Sequence, residues 1–214
     1  MGAADFVARP FRILGRLLRG EDPFVRVRSK EEWESDYRER RWDRLVRDYR
    51  SMGNMAVVSH LLSSATGPEH RRLLDVGCGN GALLTSLDGM AKKFDYVGLD
   101  VSSAALAQLR EHHPRAATVC ADMADADAVP GVFDVLVFNE CLYYADCAAV
   151  LERWRPKASP GAVLIVSMHA RGSRPILWRR ISSLTTELQS FTIRDDESGT
   201  AWTVKLLQFA GARR

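Results

Sequence analysis

A chain of 214 residues with 46% hydrophobic and 27% charged side chains holds enough apolar material for a full core, in one large or two small domains. A net charge of only +3, with no Lys/Arg-rich run interleaved with aromatics, argues against a nucleic-acid partner. Four cysteines without a C-x-x-C spacing argue against a zinc or disulfide framework, and no apolar run is long enough to span a membrane.

The N-terminal segment is basic and amphipathic. Phe6, Val7, Phe11, Leu14, Leu17 and Leu18 recur near helical spacing, and Arg9, Arg12, Arg16 and Arg19 fall on another face, with Pro10 between. Such an arm either docks its apolar face on the domain or on a second copy, which would give a homodimer, or lies on a membrane surface as a peripheral contact. Docking is the preferred reading, because the segment is short and Asp5 interrupts its charge. Lys30 to Leu62 reads mostly as helix. Ser29 with Glu32 three residues on fits a capping box. Trp33, Tyr37, Trp42, Leu45 and Tyr49 are its large residues; a core stripe and a lid over a site are both open for them. Val57, Val58, Leu61 and Leu62 form a face that should pack on a sheet. The expected division is a helical arm and lid over residues 1–66 and a sheet domain over 67–214.

Leu73, Leu74 and Val76 make a short apolar run, followed by Gly77, Gly79 and Gly81 and then by Leu83-Leu84. This is a buried strand, a tight turn and a helix. Alternation continues from there. Strands are expected at 94–100, 116–121, 133–139 and 161–168, with helices at 103–112, 146–154 and 174–184. Two last strands, 191–193 and 202–207, join across 195–199. Strands alternating with helices predict an α/β fold: a Rossmann-like, doubly wound sheet of seven strands, mostly parallel, closed by a terminal antiparallel hairpin. Cys78, Cys120 and Cys141 then fall in or beside core strands as reduced thiols, the state expected of a cytoplasmic protein.

The glycine spacing is G-x-G-x-G, not the G-x-G-x-x-G of dinucleotide enzymes, and Asp75 stands two residues ahead of it. A carboxylate at that strand end would repel a pyrophosphate and suit a ligand with positive charge. Asp75-Val76-Gly77-Cys78-Gly79-Asn80-Gly81 resembles the first motif of class I methyltransferases that use S-adenosyl-L-methionine (SAM), and the likeness extends over about Leu73 to Leu207. Trp33 to Tyr37, with Arg41-Trp42-Asp43, resembles the lead-in of a small bacterial subgroup linked to sugar, glycolipid or natural-product tailoring.

The resemblance implies SAM as cofactor. Asp75, Gly77, Cys78, Gly79 and Gly81 would bind it, with Asp75 toward its positive charge. Asp100, with Val101 beside it, would take the ribose hydroxyls. Asp122 would take the adenine amino group in preference to Asp125 or Asp127, with Met123 against the ring, and Asn139 would meet the ammonium. The acceptor would lie near Glu140, Tyr143 and Tyr144, under Trp33, Tyr37 and Trp42. His169, beyond the fifth strand, is the first candidate for general base. Glu140 is a second base or an ammonium ligand, and Tyr144 joins the catalytic candidates. No metal-ligand spacing is present. The expected activity is methyl transfer to a small-molecule acceptor, with a hydroxyl favoured over an amine. A non-catalytic SAM-binding partner and an NAD-linked oxidoreductase are the alternatives from other classes.

Overall fold

The computed structural model describes residues 24–25, 28–48, 53–65, 71–87, 94–170, 174–196 and 199–211. The basic arm of residues 1–20, Tyr49, and the boundary drawn between residues 66 and 67 lie outside the described residues.

Strands β1 (Arg71–Val76), β2 (Phe94–Asp100), β4 (Phe133–Asn139) and β5 (Ala158–His169) carry near-continuous apolar runs, the composition of strands covered on both faces. With β3 (Ala117–Cys120), β6 (Thr185–Asp195) and β7 (Thr200–Phe209) they form one sheet in the order β3-β2-β1-β4-β5-β7-β6. Pairing is parallel from β3 through β5, and β7 runs antiparallel between β5 and β6. This is the expected fold class.

Alternate side chains divide the core in two. Leu74, Val76, Leu99, Leu136, Phe138, Leu164 and Val166 face α6 (Cys147–Trp154) and α7 (Arg174–Ser182). Leu73, Tyr96, Val135, Val137 and Ile165 face α3 (Gly53–Ala65), α4 (Ala82–Leu87) and α5 (Ser103–His112). Each fully buried side chain of this kind contributes about 1.5–3 kcal/mol relative to exposure. Strand order reverses between β1 and β4, so their carboxyl ends diverge into a crevice.

Several expectations are corrected. The helix expected over Lys30–Leu62 is three helices: α1 (Lys30–Arg38), α2 (Asp43–Arg47) and α3. The capping box of Ser29 and Glu32 does start α1. Arg40 then ends it at φ +54°, with Arg41 N–H donating to Asp36 O and Arg40 N–H to Tyr37 O. That is a Schellman termination with arginine where glycine is usual, a position whose left-handed backbone costs about 1–2 kcal/mol. Helical periodicity in the sequence does not register such a stop. β6 and β7 are longer than expected, and α7 ends at Ser182 instead of reaching Leu184. Exposed polar residues fill much of β6, so its strand character comes from pairing with β7 and not from its own pattern. Cys120 is exposed, because β3 is an edge strand; Cys78, Cys141 and Cys147 are buried.

Candidate active site

The glycine turn leaves β1 with two N–H groups, of Gly77 and Cys78, donated to Leu99 O of β2 at 2.7 and 3.0 Å. Gly77 has φ +70°, and a Cβ there would stand 2.8 Å from Cys141 Cβ. Gly79 has φ +55°, and a Cβ there would meet the Tyr37 hydroxyl. Both positions therefore demand glycine. The Gly79 N–H donates to Asp100 Oδ2 at 2.8 Å and the Ser102 N–H to Asp100 Oδ1 at 2.9 Å. Burial pushes the Asp100 carboxyl up, against these hydrogen bonds. Asp75 is only 1% exposed. Burial raises its carboxyl to about 7, the 3.0 Å hydrogen bond from the Tyr96 hydroxyl opposes the rise, and the charge of Asp100 adds to it.

Beyond β4, Glu140 sits at φ +58°, a left-handed conformation unusual for a side chain of its size. Its carboxyl gathers three donors, two from β5 and one from the turn that follows Glu140 itself: Ser167 Oγ at 3.2 Å on Oε1, His169 N–H at 3.2 Å on Oε2, and the Tyr143 hydroxyl at 3.1 Å on Oε2. His169 Nε2 stands 3.5 Å from the same Oε2. Burial raises the Glu140 carboxyl to about 7, and the hydrogen bonds only partly offset it. Asn54 of α3, fully buried, donates to Ser167 Oγ at 3.3 Å and to Asn139 Oδ1 at 3.2 Å.

One cleft of about 690 Å³ connects these groups. That volume lies near the middle of the range of small-molecule sites. Every sequence-predicted site residue lines it except Gly81. Gly81 lies behind the wall, where its missing Cβ leaves room for Leu109 of α5. Val101, Asp122 and Met123 line the end toward β2 and β3. There, Asp122 Oδ1 accepts from Ala124 N–H at 2.8 Å, and Met123 O accepts from Trp154 Nε1 at 2.7 Å. Trp33 and Tyr37 on α1, and Trp42 in the turn after it, line the outer wall with Tyr143 and Tyr144.

Sequence reading missed Trp202, Met55 and Thr200, which also line the cleft, and the support from Asn54. Trp202 stands opposite His169 in the antiparallel ladder and stacks on its ring at 5.1 Å, and its buried Nε1 finds no partner among the described residues. Pairing of distant strands makes that contact, so no local signal exists. Asn54 did leave a signal, as a polar residue in the otherwise apolar start of α3. Among the described residues no three His, Cys, Asp or Glu side chains gather as a metal site, and no helix is long and apolar enough to cross a membrane.

Comparison with known proteins points to methyltransferases. Residues 73–161 match the model of a methyltransferase domain. The trans-aconitate 2-methyltransferase of Acidovorax sp. (strain JS42) is 36% identical over 110 residues, which are 50% of this chain and 42% of that protein. The chain thus spans less than half the length of the curated relatives it matches. In fold, it is similar to 1,6-didemethyltoxoflavin-N1-methyltransferase of Burkholderia thailandensis, at TM-score 0.68 and 16% identity over 85% of this chain and 87% of that one. It is similar also to magnesium protoporphyrin IX methyltransferase of Synechocystis PCC 6803, at TM-score 0.65 and 14% identity over 86% and 98%. By the match over residues 73–161 and by the likeness in fold to these two enzymes, the sheet of this chain is similar to a methyltransferase domain.

Proposed function

We propose that the chain binds SAM in this cleft and transfers its methyl group to an acidic hydroxyl of a small-molecule acceptor, with Glu140 taking the hydroxyl proton. The donor set suits the cofactor. Bare backbone at Gly77 and Gly79 permits close approach, and buried carboxylates at Asp75 and Asp100 suit a ligand with ammonium and sulfonium charges. A carboxylate offers about four lone-pair sites, so Asp100, with one backbone donor on each oxygen, keeps capacity for the ribose hydroxyls. Val101 and Met123 line the end assigned to the adenine, and Asp122 is proposed for its amino group. When bound, SAM supplies an electrophilic methyl that needs no further activation.

The remaining work falls to side chains. The observation that carries the reading is Glu140: buried, held by three donors, raised to about 7, and facing the same cleft as Asp75 and Asp100. A base in that range is about half ionised at neutral pH and binds a proton usefully. His169, 3.5 Å away, is the group to relay that proton outward. Trp33, Tyr37 and Trp42 would exclude water from above.

Glu140→Gln keeps the shape and removes the base. We expect labelled-methyl transfer to fall by about 10²–10⁴, while calorimetry finds S-adenosylhomocysteine (SAH) binding unchanged. The wild-type rate should rise with pH and level off above about 7, because the raised carboxyl must be ionised to act. A second reading is favoured by Arg28, Lys30 and Arg44 at the cleft wall and by the trans-aconitate named for the relatives: an acceptor carboxylate, already ionised. An undiminished rate in Glu140→Gln would select it.

A further inference from the structure

The outer wall of the cleft is a chain of rings that begins at the base. The Tyr143 hydroxyl donates to Glu140, and the Tyr143 and Tyr144 ring centroids are 4.5 Å apart. Trp33 meets Tyr144 edge-on at 4.8 Å, and Trp42 follows at 6.1 Å from Trp33. Arg174 covers Tyr143 at 3.8 Å and Arg28 covers Trp33 at 4.0 Å, which stiffens the wall at two points. Three of the five tryptophans and three of the five tyrosines of the chain line this one cleft. They come from α1, the turn after it, the tip of β4 and β7, so no single amphipathic stripe accounts for them. Trp33, Trp42 and Tyr144 remain only half-buried, with ring surface left to cover.

We propose that the acceptor is a planar aromatic or heteroaromatic compound, whose ring-borne hydroxyl faces Glu140 while its ring system lies along Tyr144, Trp33 and Trp42. The inference rests on the methyl-transfer reading and adds the substrate class. Stacked and edge-on ring contacts reward a flat partner beyond the area it buries. Proton affinity points the same way. Glu140 holds its proton at about 7. Taking a proton from a phenol, near 10 as in tyrosine, is uphill by about a thousandfold. Taking one from a hydroxyl as weakly acidic as water is uphill by about a billionfold. The phenolic O–H bond breaks, its proton passing to the Glu140 carboxylate and its electron pair staying on oxygen. An O–CH₃ bond forms with that pair as the S–CH₃ bond breaks, leaving the second pair on sulfur as a neutral thioether.

The test compares 2-naphthol with its saturated counterpart decahydro-2-naphthol, and with trans-aconitate and methyl glucoside, on the full chain saturated with SAH. By calorimetry, naphthol should bind at least about tenfold tighter than the saturated alcohol, the worth of one or two ring contacts. With labelled SAM, naphthol alone of the four should gain methyl. Trp33→Leu should raise the KM for naphthol about three- to tenfold and leave kcat within about twofold. Equal affinity for the flat and saturated alcohols, preference for aconitate or glucoside, or no transfer to naphthol would overturn the inference and leave the cofactor reading standing. Folded protein that gives no heat with SAH would overturn the cofactor reading, and this inference with it.

Discussion

Asp75 keeps a carboxyl where water does not reach, and its chemistry has two opposite consequences. Its folded value of about 7 lies above the ordinary 3.8. For such a raised acid, ligand-free stability is fully present below about 3.8 and is lost as pH rises toward about 7. The penalty is at most about 4 kcal/mol above that range. Asp75→Asn keeps an acceptor for the Tyr96 hydroxyl and removes the titration. Urea unfolding should therefore find the variant more stable by about 1–4 kcal/mol at pH 8 and unchanged near pH 4. SAH affinity should move the other way, weaker in the variant and no longer rising with pH, since the carboxylate is proposed to meet the ligand's positive charge. Unchanged stability at pH 8 would mean that the carboxyl is not desolvated as described. Asp75 and the glycines were legible in the sequence because they are contiguous, and their spacing alone carries the geometry. Glu140 was legible only as a candidate. Its raised value depends on burial among Tyr143, Ser167 and His169, and the latter two lie nearly thirty residues away on β5.

Helix α1 is fastened to the domain by Glu34. Its carboxylate accepts from Ser102 Oγ at 2.7 Å, Ser103 Oγ at 2.8 Å and Ala104 N–H at 3.2 Å, at the N-terminus of α5. Burial opposes the charge, but these hydrogen bonds outweigh it and hold the carboxyl down at about 2. The depressed value means that the clasp is intact above 4.5 and is lost as pH falls from there toward about 2. Gln108 Nε2 adds a 2.6 Å bond to Tyr37 O. Since Ser102 is also bound to Asp100, the same few residues hold α1 and the proposed ribose site. Glu34→Ala should cost about 1–2 kcal/mol of α1 docking and weaken SAH binding about tenfold, with faster amide exchange confined to residues 30–38. Faster exchange throughout the sheet would instead indicate general unfolding. The start of α1 was legible through Ser29 and Glu32, which are local. Its end was not, because arginine at a left-handed position resembles any other helical residue in sequence. Only the Asp36 and Tyr37 carbonyls reveal the stop.

Across the molecule, the core supports the cleft through Trp154. This residue of α6 is fully buried and reaches from the core to Met123 O on the loop after β3. Trp154→Ala should lower stability by about 3–5 kcal/mol, and Trp154→Phe, which keeps most of the packing, by about 1 kcal/mol. Both should weaken SAH binding by loosening Met123, with the loss for Phe exceeding its small stability cost. Chemical denaturation and calorimetry on the same preparations separate the two effects. Wild-type SAH affinity in Trp154→Phe would show that Met123 needs no such anchor.

The sequence by itself determined the alternation of strands and helices, the seven-stranded class, the cleft-lining turn at Gly77 and Gly79, and the acids at the tips of β1 and β2. All of these are set by spacing within a few residues, where side-chain volume and backbone freedom act directly. Only the tertiary structure decided that Glu140 is gripped by Ser167, Tyr143 and His169, that Trp202 stacks on His169, that Asn54 braces β5, and that Gly81 serves packing against Leu109. Those contacts join residues up to more than a hundred positions apart. Burial, pairing register and shared hydrogen bonds set their chemistry, and these arise only when the sheet closes.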